Sequence, residues 1–370
     1  MLSNRPSRLQ IIVSLVILVL LLSAWPVVQW QQHYFYNRAS LHGKFIAQSK
    51  FLLGINYPWL NYGTDFGANS WGHHGVSEPN SRQQLDSDFG DLQQHGVRVV
   101  RWFLFCDGRA GIQINSDGTV KGLDPYVFKD MDAALEIARK HKIMIVFVLF
   151  DVSMLQPAIP DTTAGTPPGY APVKMGGHRE FVANHQVRQT LFDNVVKPIL
   201  QRYGNDGAVV AWEVINEPEW VMSIGWTHRG SISVPDMQDF VRQVSQLIHQ
   251  NTAQVATVGG ADRRWCSLWK DVGLDYFQFH HYPYMERYAP YDLPADDLGL
   301  NKPVLIGEFP TRNTNRTLSL YLDLALKNGY AGAFPWSYRA TDKYTGWSSV
   351  SDEFSQWSAT HKDTKTPGDR

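Results

Sequence analysis

Cysteine is nearly absent from this chain. Cys106 and Cys266 are the only two among 370 residues, too few for a scaffold stapled by disulfides, so free thiols without a redox role are expected. An excess of one charge is missing as well. The 34 Lys and Arg against 35 Asp and Glu leave a formal net charge of −1, and no basic cluster is interleaved with aromatic residues, which argues against nucleic acid as a partner. There is no internal repeat at solenoid spacing and no low-complexity tract. A metal-ligand set is also lacking. His73-His74 and His280-His281 are adjacent pairs whose side chains would point to opposite faces of a strand, and no cysteine or carboxylate cluster completes them, so neither metal nor cofactor is expected.

Apolar and aromatic residues are abundant. At 44% hydrophobic and 13% aromatic, with 13 Trp, the chain can bury one large core or two modest ones, and flat rings suit both cores and the apolar faces of sugars. One long apolar run stands at the N-terminus: Arg5 and Arg8 precede Ile11-Ile-Val-Ser-Leu-Val-Ile-Leu-Val-Leu-Leu-Leu22. Residues 1–30 therefore read as a signal peptide or signal anchor. Leu22 stands where a signal peptidase cutting after Ala24 would need a small residue, which favours an uncleaved anchor. The basic end stays in the cytoplasm, so the remainder is expected outside it, in the periplasm or at the cell surface, touching the membrane only through this segment. Residues 31–50 then form a stalk.

Beyond the stalk, short apolar runs recur at Phe51 to Tyr57, Val97 to Phe105, Ile143 to Phe150, Ala208 to Ile215, Gln254 to Val258, Tyr276 to Phe279, Val304 to Ile306 and Gly332 to Trp336. Helical periods lie between them. Met237, Phe240, Val241, Val244, Leu247 and Ile248 mark one amphipathic helix with Pro235 near its first turn. Met131, Leu135 and Ala138 mark a second, and Leu318, Tyr321, Leu322 and Ala325 a third, which Gly329 would close. Eight strands alternating with helices predict an α/β fold, a (β/α)8 TIM barrel over residues 51–358 followed by a polar tail at 359–370. A doubly wound open sheet would usually carry a Gly-rich phosphate turn after its first strand, and Gly54-Ile-Asn-Tyr-Pro is not one. The long connections Leu60 to Ser81 and Asp151 to His178 would project from the C-terminal rim, where barrels bind substrates.

Two strand-end carboxyls stand out. Asn216-Glu217-Pro218 closes the fourth run and Glu308 the seventh, so both would face one cavity. Glycosidic bond cleavage needs such a pair, one carboxyl protonated and one ionised. Trp212-Glu-Val-Ile-Asn-Glu-Pro218, Phe279-His-His-Tyr-Pro283, Pro303-Val-Leu-Ile-Gly-Glu-Phe309 and Arg101-Trp102-Phe103 together resemble the retaining glycoside hydrolases whose acid/base and nucleophile lie on strands four and seven. Within that clan the motifs are most similar to family 5, and to its endo-β-mannanases.

The resemblance implies a retaining β-glycosidase acting on a β-linked polysaccharide such as mannan, a glucan or an exopolysaccharide, with Glu217 as acid/base and Glu308 as nucleophile. It further implies that Asn216 meets the sugar 2-hydroxyl, Arg101 keeps Glu308 ionised, Tyr282 donates to the nucleophile, His280 lines the adjacent subsite and Trp336 forms the stacking floor. Trp102, Trp220, Trp226 and Tyr284 are further aromatic candidates for sugar subsites, and Asp107 and Arg109 for polar contacts at the rim. Glu213 reads as a buried partner for Arg98 or Arg101, and Glu219 as a loop residue near the rim. Many family 5 cellulases carry a His near the end of strand three, where this chain has Asp151, which argues against that subgroup. A monomer is expected. A transglycosylase using the same intermediate and a barrel that binds polysaccharide without cutting it are the alternatives.

Overall fold

A computed structural model of the chain describes residues 51–72, 74–160, 171, 173–224 and 231–361. The expected anchor and stalk, His73, Trp226 and residues 362–370 of the tail lie outside these described residues. The apolar runs become eight parallel strands: β1 (Leu52–Leu53 and Ile55–Asn56), β2 (Val99–Phe103), β3 (Met144–Asp151), β4 (Val209–Asn216), β5 (Val255–Gly260), β6 (Phe277–His280), β7 (Val304–Pro310) and β8 (Gly332–Trp336).

β1 closes the ring. Its first half pairs with β8, Leu52 opposite Gly332, and its second half with β2, Asn56 opposite Arg101. The switch falls at Gly54, where a Cβ would sit 2.6 Å from the Phe334 ring, so only glycine lets the strand pass that ring closely.

Side-chain alternation sorts the barrel interior into layers. Leu52, Val99, Val146, Ala211, Val255, Tyr276, Leu305 and Phe334 form an apolar floor. Two residues further along the strands come Arg101, Glu213 and Gln278, all buried. Phe103, Val148, Tyr282 and Trp336 pack together near the open mouth. The largest cluster fills the space between the outer face of the barrel and the helices.

The longer helices are α1 (Pro79–Gln94), α2 (Val127–Lys140), α3 (His185–Leu191, continuing through a π-helical turn at Phe192–Val196 into Lys197–Tyr203), α4 (Val234–Asn251), α5 (Leu318–Lys327) and α6 (Trp347–Thr360). Pro198 offers no N–H to the carbonyl four residues back, beside the place where α3 widens. α4 follows its sequence pattern: Met237, Phe240, Val241, Val244 and Ile248 are buried, and the Ser233 hydroxyl caps it by accepting from the Asp236 N–H at 3.1 Å. Gly329, at φ +78°, follows α5 as expected. α6 runs to Thr360, two residues beyond the expected end of the barrel. Short 3-10 helices, Arg263–Trp269 and Ala295–Leu298, stand in the connections from β5 to β6 and from β6 to β7.

Candidate active site

The site is organised from below by Arg101, which β2 points into the barrel. Burying a guanidinium requires that its donors be met, and here all five are. Nε and Nη2 grip the two Glu213 oxygens, each at 2.6 Å; Nη2 also reaches Asn216 Oδ1 at 2.6 Å. Nη1 reaches Asn56 Oδ1 at 2.9 Å and Glu308 Oε1 at 2.7 Å. This one side chain ties together the ends of β1, β2, β4 and β7. Asn56 extends the tie by donating to the Gly307 carbonyl at 2.9 Å. Gly259 of β5 leaves room for it, since a Cβ there would lie 2.2 Å from Glu213 Oε1.

Above Arg101 stand the two carboxyls. Glu308 accepts from Arg101 on one oxygen and from the Tyr282 hydroxyl on the other, at 2.6 Å. Burial pushes its carboxyl above the ordinary range, repulsion from Glu217 adds to the shift, and Arg101 and Tyr282 oppose it without cancelling it. Glu217 is held by weaker partners. His280 Nδ1 lies 2.8 Å from its Oε1, and the Trp220 indole donates to its Oε2 at 2.9 Å. Burial pushes Glu217 up to about 7, against the pull of the Trp220 hydrogen bond. The Glu217 backbone is left-handed at φ 46° and ψ 45°, and its N–H bonds the Gly259 carbonyl at 2.6 Å. That turn aims the side chain into the cleft instead of along the strand, an uncommon conformation for a residue with a Cβ.

His280 bridges the pair, with Nδ1 also 3.4 Å from Glu308 Oε1. Burial lowers its basicity to a pKa of about 4, so the ring is neutral at working pH. A nitrogen of His280 and one oxygen from each of Glu217 and Glu308 lie within 4.8 Å of one another, a cluster that adjacent-histidine reasoning does not foresee. A divalent cation fits it poorly, because the Arg101 guanidinium and the Tyr282 hydroxyl already occupy Glu308 and would confront the ion with a fixed positive charge.

The cleft above the pair measures about 320 Å³ and is walled by Trp59, Tyr62, Phe103, Asp151, Asn216, Tyr282, Tyr284, Trp336, Asp342 and Tyr344 among others. Trp336 is steadied by its indole donating to Asp342 at 2.6 Å and by the Trp59 ring 6.1 Å away. Asn216 donates to Asp151 Oδ2 at 2.7 Å, and Asp151 also caps the turn after β3 by accepting from the Ser153 N–H at 2.9 Å.

The structure therefore brings Arg101, Asn216, Glu217, His280, Tyr282, Glu308 and Trp336 together and leaves one predicted residue out. Trp102 is fully buried on the outer face of β2, its indole donating to Asp65 at 2.8 Å and its ring against Tyr57, Phe66 and Phe89. Strand alternation explains this, since an inward Arg101 forces Trp102 outward. Glu219 lies in the turn that follows β4, as expected, and is completely buried. Glu213 pairs with Arg101 and not Arg98. His281 faces away from the site toward Glu286, at 2.9 Å. Arg109 and Asp107 bond each other at 2.7 Å, and Arg109 lies over the Tyr62 ring, so they brace the wall. Trp220 and Tyr284 are both partly exposed beside the pair. Cys106 and Cys266 are buried free thiols. Trp59, Tyr62, Asp342 and Tyr344 had no signal in the sequence beyond being aromatic or polar in rim loops.

A closed parallel barrel with two close carboxyls at the ends of β4 and β7 defines a TIM-barrel glycoside hydrolase. Residues 166–369 match the family described as glycosyl hydrolases family 2, TIM barrel domain, and the chain belongs to that family. The matching family is numbered 2 and not 5, so the ground it shares with the motif resemblance is the TIM-barrel glycoside hydrolase class. In sequence the chain is similar to a mannan endo-1,4-beta-mannosidase of Mytilus edulis, 24% identical over 329 residues, covering 78% of this chain and 83% of the relative. In structure it is similar to the endo-1,4-beta-mannanase from Eisenia fetida, with a TM-score of 0.68 at 22% identity, covering 82% of this chain and 90% of the other. It is also similar to the beta-mannanase structure from Mytilus edulis, with a TM-score of 0.69 at 23% identity, covering 85% and 93%. At these identities the solved structures show a common fold.

Proposed function

We propose that this chain is an endo-acting, retaining β-mannanase whose site is organised in the family 5 manner. The observation that carries the reading is the close carboxyl pair with unequal partners. Oxygens of Glu217 and Glu308 lie within 4.8 Å, near the roughly 5 Å of retaining enzymes and short of the roughly 6.5–9.5 Å that leaves room for a water in inverting ones. Glu308, gripped by a guanidinium and a phenol, is suited to be the anion. Glu217, facing a neutral imidazole and an indole, is suited to hold the proton.

In the first step a Glu308 oxygen attacks the anomeric carbon while Glu217 gives its proton to the departing glycosidic oxygen. A glycosyl ester forms and the aglycone leaves as an alcohol. In the second step Glu217, now a carboxylate, takes a proton from water, whose oxygen attacks the same carbon and releases Glu308. Two inversions retain configuration. Asn216, oriented by Arg101 and Asp151, keeps its second amide hydrogen for the sugar 2-hydroxyl. Trp336 offers its face to the sugar ring.

Mannan as the substrate and endo action are both supported by the names of the relatives, mannan endo-1,4-beta-mannosidases. Incubation of the purified chain with β-1,4-mannan should lower viscosity quickly while few reducing ends appear. Release of mannose alone, or no release, would reject the reading. The location we propose is extracytoplasmic and tethered by residues 1–30, supported by Arg5 and Arg8 before the apolar run. A mature protein beginning near Trp25 by mass spectrometry would replace the tether with a cleaved signal.

A further inference from the structure

Two residues past the proposed acid/base, Glu219 is a carboxyl with no part in the steps above. It is completely buried in the 3-10 turn Pro218–Val221. Placing a carboxyl in such a position is costly unless its oxygens are met. Both are met, and by a different element each. Oε2 accepts the Ala261 N–H at 3.0 Å, just past the end of β5, and Oε1 accepts the Trp269 indole N–H at 2.8 Å, from the 3-10 helix Arg263–Trp269.

These attachments bear on Glu217. Its left-handed backbone is held from the other side by the bond from its N–H to Gly259, on the same strand end that Glu219 grips. Trp220, the residue after Glu219, donates to Glu217 Oε2, and its ring meets Trp265 edge-on at 6.0 Å. Trp265 rides on the helix that Glu219 holds through Trp269. Glu219 thus fastens both the turn that aims Glu217 and the helix that backs its hydrogen-bonding indole. From this geometry we infer that Glu219 is the positioning residue of the acid/base: it holds Glu217 and Trp220 in register with the glycosidic oxygen.

The chemistry of the position favours glutamate over its amide. Two donors approach two different oxygens, and an ionised carboxyl accepts on both. Glutamine would turn its NH2 toward one of the donors and lose that bond. Burial pushes the Glu219 carboxyl up to about 7, with the Ala261 N–H and the Trp269 indole pulling it back. Because both donors favour the ionised carboxyl, the clamp is tightest when Glu219 carries its charge.

The inference rests on the glycosidase reading, and its test separates the two. Full-length wild type and Glu219→Gln are assayed for kcat/KM on a β-1,4-manno-oligosaccharide, whose poor leaving group needs a proton, and on a dinitrophenyl β-mannobioside, whose leaving group does not. A misaimed acid should cost about tenfold to a hundredfold on the first and less than about threefold on the second, a partial loss of the roughly 10²- to 10⁴-fold that general acid catalysis contributes. The aryl substrate should also show a burst, because Glu217 activates water in the second step. Trp269→Phe, which removes one donor and leaves the carboxyl, should give the same selectivity at smaller size and serves if Glu219→Gln does not fold. An equal proportional loss on both substrates, or no loss on either, would overturn the inference. A wild type that cleaves neither substrate would instead reject the glycosidase reading beneath it.

Discussion

At the end of β7 Glu308 takes hydrogen bonds from a guanidinium and a phenol, while Glu217 opposite faces an imidazole and an indole. The difference sets the pH dependence. As the proposed acid, Glu217 must be protonated to work, and burial pushes its carboxyl up to about 7. kcat/KM should therefore fall as pH rises through that value, and Glu217→Gln should remove this limb while costing about 10²- to 10⁴-fold on substrates with poor leaving groups. A pH–rate profile unchanged in shape by the substitution would assign the limb elsewhere. Two of the tryptophans named from the sequence, Trp102 and Trp336, should separate in the same way. Trp102→Ala opens a hole in the core and should destabilise by about 3–5 kcal/mol in denaturant unfolding. Trp336→Ala, at the cleft wall, should raise KM for oligosaccharides and cost less stability than Trp102→Ala. The reverse pattern would restore Trp102 to the binding surface.

At the scale of elements, what was legible follows from period and burial. Strands buried on both faces read as continuous apolar runs, so their existence was plain, but such runs do not say which residue points inward. Arg101 supplied that information, because a charge inside an apolar run has to meet a partner in the barrel, and applying the alternation would have excluded Trp102. The role of Glu219 was hidden for another reason: its partners, Ala261 and Trp269, come from a segment far along the chain. Gly259 shows how a strand carries the site without contributing a side chain. Gly259→Ala would drive a methyl into Glu213, loosen its grip on Arg101 and leave a buried charge poorly paired, a change worth about 3 kcal/mol or more. We expect lower stability and loss of activity together. A stable, active variant would show that the barrel relaxes around the extra carbon.

For the molecule as a whole, the eight apolar runs and the order of the strand-end motifs were enough to anticipate the barrel, because a parallel ring places every C-terminal strand end around one cavity. Its closure through a first strand split at Gly54 was not legible, since a two-residue switch of partners leaves no periodicity. The pairing of Glu217 with Glu308 belongs to this scale, for it exists only when β4 and β7 share a ring. The most direct test of that pairing is covalent trapping. The full chain would be incubated with a fluorinated mannobioside bearing a good leaving group, then digested and mapped by mass spectrometry. A stable glycosyl adduct on Glu308, absent from Glu308→Gln, is the predicted result. Turnover of mannan with no adduct, or an adduct on another residue, would contradict the assignment of Glu308 as nucleophile and with it the retaining mechanism proposed for this site.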